Sequence, residues 1–140
     1  LILNSEPYFN EAGFEACRGN PEAHERSRVY NESVVATLVQ SMVHLLQNPE
    51  PVFRKEIIQH CISKANAYGE LLDFWASLDD AEFDRIRNLQ SSSESDESVT
   101  QKVLPEFPLA PVSKGFQVSV RRHRLTFLQL VDGLKSTEPA

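Results

Sequence analysis

Residues 30 to 46 read Tyr30-Asn31-Glu32-Ser33-Val34-Val35-Ala36-Thr37-Leu38-Val39-Gln40-Ser41-Met42-Val43-His44-Leu45-Leu46. Apolar residues recur along this stretch with a helical period, which predicts an amphipathic α-helix of about four turns. Either Ser27 or Asn31 is expected to cap its N-terminus, and Pro49 is expected to end it. The apolar stripe consists of Tyr30, Val34, Val35, Leu38, Val39, Met42, Leu45 and Leu46.

Helical spacing continues after Pro51, which suits the first turn of a second helix. One long helix and two helices with a bend at residues 63–66 are both compatible with the pattern. Asp79 and Glu82 resemble a capping box ahead of a short third helix, and Ser113 is expected to cap a last one. No alternating β pattern of useful length occurs, so the predicted fold class is mainly α. The expected apolar positions of these helices are Phe53, Ile57, Ile58, Cys61, Ile62, Ala65, Tyr68, Leu71, Leu72, Trp75, Leu78, Phe83, Ile86, Leu89, Phe116, Val120, Phe127, Leu128, Val131 and Leu134.

The polar and proline-rich parts of the chain suggest three regions. Residues 1–89 form the predicted folded region, and residues 90–103 form an acidic, serine-rich stretch expected to be a disordered linker. Residues 104–140 combine an extended, proline-punctuated segment with the last helix. Within that segment Leu104, Phe107 and Leu109 are expected to lie on a surface.

Overall composition limits the functional class. The 140 residues carry a net charge of −6, which argues against a nucleic-acid partner over the whole surface. No apolar run approaches the ~20 residues of a membrane span, so no membrane partner is expected. Cys17 and Cys61 do not form a disulfide framework, and a cytoplasmic or nuclear location is therefore the expectation.

Candidate catalytic and metal-binding residues are few. Cys17 lies in a loop beside Arg18 and upstream of His24, but an ordinary loop thiol explains it more simply than a nucleophile. Cys61 is spaced like a buried apolar residue. His60 and Cys61 are helical neighbours that point about 100° apart, so no zinc site is predicted, and no cofactor is expected.

Two surface features carry alternatives. Arg121-Arg122-His123-Arg124 is either a contact for an anion or an acidic partner, including the acidic linker, or a solvated helix face, and we favour the face. Ser91 and Ser93 precede carboxylates at the spacing that an acidophilic kinase prefers. They are therefore either phosphorylation sites or part of an unmodified spacer.

An aromatic segment precedes the first helix: Ser5-Glu6-Pro7-Tyr8-Phe9-Asn10-Glu11-Ala12-Gly13-Phe14-Glu15. No amphipathic period fits it, so we expect irregular backbone held in place by the rings of Tyr8, Phe9 and Phe14. Pro7 restricts the residue before it to extended backbone. Gly13 can adopt a positive φ that other residues resist.

This segment, taken from Leu3 to Glu15, resembles the loop after the catalytic residue in large ubiquitin-conjugating enzymes. These are similar to the hybrid conjugating enzyme/ligase proteins of the O type, with relatives in BRUCE and in plant phosphate-homeostasis enzymes. The likeness is strong in the first part of the chain, weak in the tail and absent from 67–102. Other similar motifs are Ser27-Arg28-Val29-Tyr30-Asn31-Glu32, Asn48-Pro49-Glu50-Pro51, Phe53, Ile57-Ile58-Gln59-His60, Phe107-Pro108-Leu109 and Ser113-Lys114-Gly115-Phe116.

The resemblance implies that residues 1–89 are the C-terminal helical part of a ubiquitin-conjugating (UBC) fold, without its four-stranded antiparallel sheet. The family's catalytic Cys and His-Pro-Asn motif would then lie before Leu1. No His-Pro precedes Asn10, so Cys17 would not be the nucleophile. The residues that would flank the active site are Glu6, Pro7, Tyr8, Phe9, Asn10, Glu11, Gly13 and Phe14.

In function, the resemblance implies a parent protein that carries ubiquitin as a thioester and transfers it to substrate lysines. Its partners would be ubiquitin, the ubiquitin-activating enzyme and protein substrates, and the fragment alone would be inactive. Two alternatives remain open at this point. One is a small helical adaptor whose tail helix binds a partner, and the other is a conjugating-enzyme variant without a nucleophile.

Overall fold

The computed structural model describes residues 6–91, 104–105 and 107–137. Four α-helices dominate these residues: α1 (Pro21–Gln47), α2 (Arg54–Ala76), α3 (Asp80–Ser91) and α4 (Lys114–Thr137). Short 3-10 turns occur at Pro7–Asn10, Glu15–Cys17 and Pro51–Phe53. No β-strand is present in this described part, and the predicted mainly α class is confirmed.

Helix α1 begins earlier than either predicted cap. Asn20 precedes it, and the Glu22 amide donates to Asn20 Oδ1 at 3.0 Å. Pro21 occupies the first helical position, where its missing N–H would have had no helical partner. The prediction that Ser27 or Asn31 caps the helix was therefore wrong, because both side chains are buried inside it.

The other helix boundaries follow the sequence pattern closely. Helix α2 is one continuous helix, which settles the alternative of a bend at residues 63–66. The Glu82 amide donates to Asp79 Oδ1 at 2.7 Å, so Asp79 caps α3 as predicted. Ser113 directly precedes α4. Helix α3 extends through Gln90 and Ser91, the first two residues of the predicted linker, and 92–103 lie outside the described residues.

The chain divides into two compact units, and α1 contributes to both. The first unit consists of Leu1–Val35 and Ser77–Ser113. The large apolar side chains that are almost fully buried in this unit come from the aromatic segment, from the residues just before α3, from the middle of α3 and from the proline-containing segment. They are Phe9, Leu78, Ile86 and Leu109, each no more than 1% exposed. Leu109 thus belongs to the buried interior of the unit.

The second unit consists of Ala36–Ala76 and Lys114–Ala140. Its hydrophobic core takes residues from the later part of α1, from α2 and from α4: Val43, Leu46, Ile58, Cys61, Ala65, Phe127 and Val131. A Cβ at Gly69 of α2 would lie 3.4 Å from a Leu128 methyl carbon of α4, an ordinary van der Waals contact. Within the described part of the chain, no helix has the length and apolar character that crossing a membrane requires.

The buried stripe of α1 is narrower than the sequence suggested. Leu38 and Leu45 are 60% and 44% exposed, whereas Val43, which the predicted stripe omitted, is 6% exposed. Val39, Val43 and Leu46 recur at i, i+4 and i+7 and define the buried line. Phe53 is also 59% exposed, because it lies in the 3-10 turn ahead of α2.

Candidate functional site

The aromatic segment folds into a small ring cluster. The Tyr8 ring stacks on Phe14 with centroids 4.9 Å apart and meets Phe9 edge-on at 5.3 Å. Tyr30 of α1 completes the cluster at 5.8 Å from Tyr8. Offset and edge-to-face ring pairs of this kind add stability beyond their buried area. The prediction that Tyr8, Phe9 and Phe14 pack together is confirmed, although two 3-10 turns replace fully irregular backbone.

Backbone geometry shapes the exposed edge of this loop. Gly13 has a φ of 91°, a left-handed value that residues with a Cβ resist. Its N–H donates to Glu15 Oε2 at 3.1 Å, and the Phe14 N–H donates to the Glu11 carbonyl. Asn10, Glu11 and Gly13 are exposed while Phe9 is 1% exposed. The loop therefore presents a polar edge on a rigid aromatic base, the arrangement expected of a recognition loop.

Arg18 strengthens the base of the loop. Its guanidinium carbon lies 5.6 Å from the centroid of the Phe9 ring, within the range of a cation–π contact. Arg18 was interpreted from sequence as a neighbour that could activate Cys17. The structure instead assigns its cationic head to Phe9.

Cys17 lacks the partners of a nucleophile. Its side chain is partly exposed, and no described residue pairs its thiol with a base or a cation. His24 is exposed in the first turns of α1. Cys61 is 8% exposed, and burial raises the pKa of its thiol above the ordinary value. A raised pKa at Cys61 is the opposite of what thiolate chemistry needs.

In the basic cluster on α4, the side chains of His123 and Arg124 make hydrogen bonds within the fold. Arg124 Nε donates to the Gly69 carbonyl at 2.6 Å, which fixes its position against α2. His123 Nδ1 lies 2.8 Å from the Ser119 carbonyl in the preceding turn. Arg121 and Arg122 are exposed. The four residues thus do not form one uniform anion-binding surface.

The structure reveals a polar network that the sequence interpretation missed. Arg28 of α1 donates to both oxygens of Glu25 at 2.6 and 2.9 Å and to Glu32 Oε1 at 2.7 Å. It also donates to the Pro111 carbonyl at 2.7 Å, and Asn31 donates to the Pro108 carbonyl at 2.8 Å. Glu32 accepts from the N–H and the hydroxyl of Ser113. The sequence feature that could have indicated these ion pairs is the spacing of Glu25, Arg28 and Glu32 at i, i+3 and i+7 of a helix.

The hydrogen bonds with Glu25 and Glu32 raise the pKa of Arg28, and the Glu25 bond is the largest cause. The bond with Arg28 in turn lowers the pKa of Glu25. Arg28 therefore stays cationic in its buried position, with its charge matched on both sides. This network holds the proline-containing segment of the first unit.

The remaining candidate positions offer less structural support for a functional role. Ser91 ends α3, and Ser93 lies outside the described residues, so phosphorylation of either stays a prediction. An open depression in the second unit is lined mainly by amides, Ser41 and the imidazoles of His44 and His123. Among the described residues, no three His, Cys, Asp or Glu side chains are grouped to hold a metal ion.

Comparisons with known proteins find partial similarity to ubiquitin-conjugating enzymes. The human dual E2 ubiquitin-conjugating enzyme/E3 ubiquitin-protein ligase BIRC6 is 43% identical over 61 residues, which make up 43% of this chain and 1% of BIRC6. A probable ubiquitin-conjugating enzyme E2 of Acanthamoeba polyphaga mimivirus is 36% identical over 76 residues, 54% of this chain and 5% of the viral protein. The chain is related to the ubiquitin-conjugating enzymes.

The probable ubiquitin-conjugating enzyme E2 24 of Arabidopsis thaliana is a further relative. It is 34% identical over 77 residues, which cover 50% of this chain and 8% of the plant protein. The chain thus spans only a small part of each of these relatives. No family model and no solved structure matches it. A relationship to ubiquitin-conjugating enzymes agrees with the resemblance drawn from the aromatic loop, and the role of the loop residues stays a prediction.

Proposed function

We propose that this chain is the part of a ubiquitin-conjugating domain that follows the catalytic cysteine. The parent protein carries ubiquitin as a thioester and transfers it to substrate lysines, and the chain supplies a rigid loop beside the active site. The observation that carries the proposal is the ring cluster of Tyr8, Phe9, Phe14 and Tyr30, formed by the motif that resembles the family. The relationship to ubiquitin-conjugating enzymes supports it.

The state of the two cysteines also supports this division of labour. Cys61 is buried with a raised pKa, and Cys17 has no activating partner in the described part of the chain. Thioester formation needs an accessible thiolate next to an oxyanion-stabilising group. The nucleophile therefore belongs to the rest of the parent, which also contacts the activating enzyme, ubiquitin and substrates in a cytoplasmic or nuclear location.

The loop assignment is tested in the parent protein by comparing Tyr8→Ala with Val52→Ala. Removing the Tyr8 ring takes away the stacking partner of Phe14 and loosens the polar edge of the loop. We expect ubiquitin discharge from the preformed thioester to free lysine to fall at least tenfold, about 1.4 kcal/mol of activation free energy. Val52 is 76% exposed on a separate turn, and its truncation is expected to leave the rate unchanged.

A result in which folded Tyr8→Ala parent forms and discharges its thioester at the wild-type rate would remove the loop from the mechanism. The adaptor alternative differs from the proposal only for Tyr8→Ala, because it expects neither Tyr8→Ala nor Val52→Ala to affect any ubiquitin transfer. Unchanged circular dichroism of Tyr8→Ala, compared with wild type, is required for either reading.

A further inference from the structure

The proline-containing segment at residues 107–113 is bound to α1 much as a separate peptide would be. It has no helix or strand of its own. Its hydrogen bonds include those to the side chains of Arg28, Asn31 and Glu32, which we call the acceptor face of α1, and to the Leu78 carbonyl. Within the first unit, α1 therefore contacts residues 107–113 as a receptor helix contacts an extended peptide ligand.

Most of these hydrogen bonds are made to backbone groups of the segment. Asn31 and Arg28 bind the carbonyls of Pro108 and Pro111, which lie three residues apart, and Glu32 binds the Ser113 N–H. Backbone groups occur in every peptide, so these bonds give affinity without strict sequence selection. Because proline has no N–H, the two prolines bring no donor that the buried site would have to satisfy.

Selectivity comes from one apolar position between the two prolines. Leu109 is 0% exposed, and it lies between Pro108 and Pro111, the two residues whose carbonyls are bound. Fully burying a leucine side chain stabilises a complex more than a typical neutral hydrogen bond does. The segment therefore fits as an apolar anchor held between two proline carbonyls.

The acceptor face is preorganised without its ligand. The side chains of Arg28 and Glu32 are each only 9% exposed and bond to each other, while Glu25 holds the far side of the guanidinium. Both charges keep a partner if the segment leaves, so the empty face avoids the large cost of an unpaired buried charge. A site that is ordered before binding loses less entropy when a peptide arrives.

From these observations we propose that the acceptor face of α1 is a docking site for extended peptides of the pattern proline–leucine–x–proline. Residues 107–113 occupy it in cis, and an external peptide of the same chemistry competes for it. The proposal concerns peptide recognition and is independent of ubiquitin transfer. Because the cis segment is covalently attached, it competes at an effective concentration on the order of millimolar.

The test uses a fluorescent synthetic peptide with the sequence of residues 104–113 and the full 140-residue chain. The Leu109→Asp chain removes the anchor of the cis segment and leaves the acceptor face intact. In anisotropy titrations we expect the peptide to bind this variant at least tenfold more tightly than wild type. Adding Asn31→Ala to the variant should abolish that gain, whereas adding Ser33→Ala, an exposed change on the same helix, should not.

The second part of the experiment tests which peptide residues are required for binding. A peptide that itself carries the Leu109→Asp change should bind the open variant at least tenfold more weakly, and so should one with both prolines replaced by alanine. Equal binding of these peptides would indicate a nonspecific apolar contact and would overturn the proposal. Folded Leu109→Asp chain that binds the native peptide no better than wild type would overturn it as well.

A measurement on the wild-type chain covers the case in which Leu109→Asp does not fold. The amides of Val112 and Ser113 are bonded to the Leu78 carbonyl and to Glu32. Millimolar competitor peptide should displace the cis segment and raise hydrogen exchange at these two amides several-fold. Exchange at Ile58 in the core of the second unit serves as the unaffected reference. Unchanged exchange at Val112 and Ser113 would refute competition for the site.

Discussion

Ser27 is a buried hydroxyl that destabilises the first unit. It is 0% exposed inside α1, and its Oγ has no hydrogen-bond partner among the described residues. A buried polar group without a partner costs about 1–3 kcal/mol. The sequence interpretation assigned this serine to a helix cap, where its hydroxyl would have had a partner. The actual helix start at Pro21 leaves it without that role.

Replacing Ser27 by alanine should therefore stabilise the protein. We expect Ser27→Ala to raise the free energy of unfolding by about 1 kcal/mol, measured by chemical denaturation. Ser33→Ala is the matched control, because Ser33 is exposed on the same helix and its change reports helix propensity alone, a few tenths of a kcal/mol. A loss of stability in Ser27→Ala would mean that the hydroxyl has a stabilising partner.

Glu25 links the Arg28 network to pH. Its bonds to Arg28 lower its pKa from the ordinary value of 4.5, so the folded state favours the carboxylate. Its stabilisation is fully present above that value and is lost as the pH falls through the lowered folded pKa. The effect is small, below about 1 kcal/mol, because the side chain is 61% exposed.

A Glu25→Gln variant tests this link. It should be slightly less stable than wild type at pH 7, and the difference should disappear as the pH falls through and below the folded pKa of Glu25. Urea denaturation at a series of pH values measures it, and added salt should shrink the difference at pH 7. A difference that persists unchanged at low pH would show that the carboxylate charge is not responsible.

Among the helices, the packing of α4 on α2 dominates the second unit. Phe127 is 0% exposed in the core, and its ring lies 6.4 Å from Tyr68 of α2. Leu125 lies on the same helix and is 56% exposed. The two positions separate burial from helix propensity, since both are large apolar residues in α4.

Truncating these two residues should give very different results. Phe127→Ala should cost about 3–5 kcal/mol by leaving a cavity between α2 and α4. Leu125→Ala should change stability by no more than about 0.5 kcal/mol. Thermal and chemical unfolding of both variants measures the contrast. Similar losses for the two would contradict the observed orientation of α4.

The helices were largely predictable because their apolar spacing is strong. The period of 3.6 residues located α2, α3 and α4 and much of their buried faces, such as Phe127 and Val131. The start of α1 was missed because proline at a first helical position looks like a breaker until its cap, Asn20, is recognised. The exposure of Leu38 and Leu45 depends on which edge of the stripe the neighbouring helices cover, which sequence spacing cannot decide.

The candidate site was predictable in part. Clustering of Tyr8, Phe9 and Phe14 followed from three rings in one short loop. The Arg28 network was not anticipated, because its partners Pro108, Pro111 and Ser113 lie about 80 positions away in the chain. Local spacing gave the helical pairs with Glu25 and Glu32 but contains no information on such distant contacts.

At the scale of the whole molecule, we propose that function is divided between this chain and the rest of its parent protein. The chain covers only a small part of the curated relatives that it matches. In the described part of the chain Cys61 is buried and Cys17 has no activating partner, while ring contacts hold the aromatic loop together. Chemistry is therefore expected only when the preceding part of a conjugating domain is present.

Thioester formation tests this statement most directly. The 140-residue chain and the full-length parent are each incubated with ubiquitin-activating enzyme, ATP and ubiquitin, and adducts sensitive to reducing agent are detected by gel electrophoresis. We predict a reducible ubiquitin adduct on the parent and none on the chain. A reducible adduct on the chain that disappears in Cys17→Ser and persists in Cys61→Ser would contradict the account.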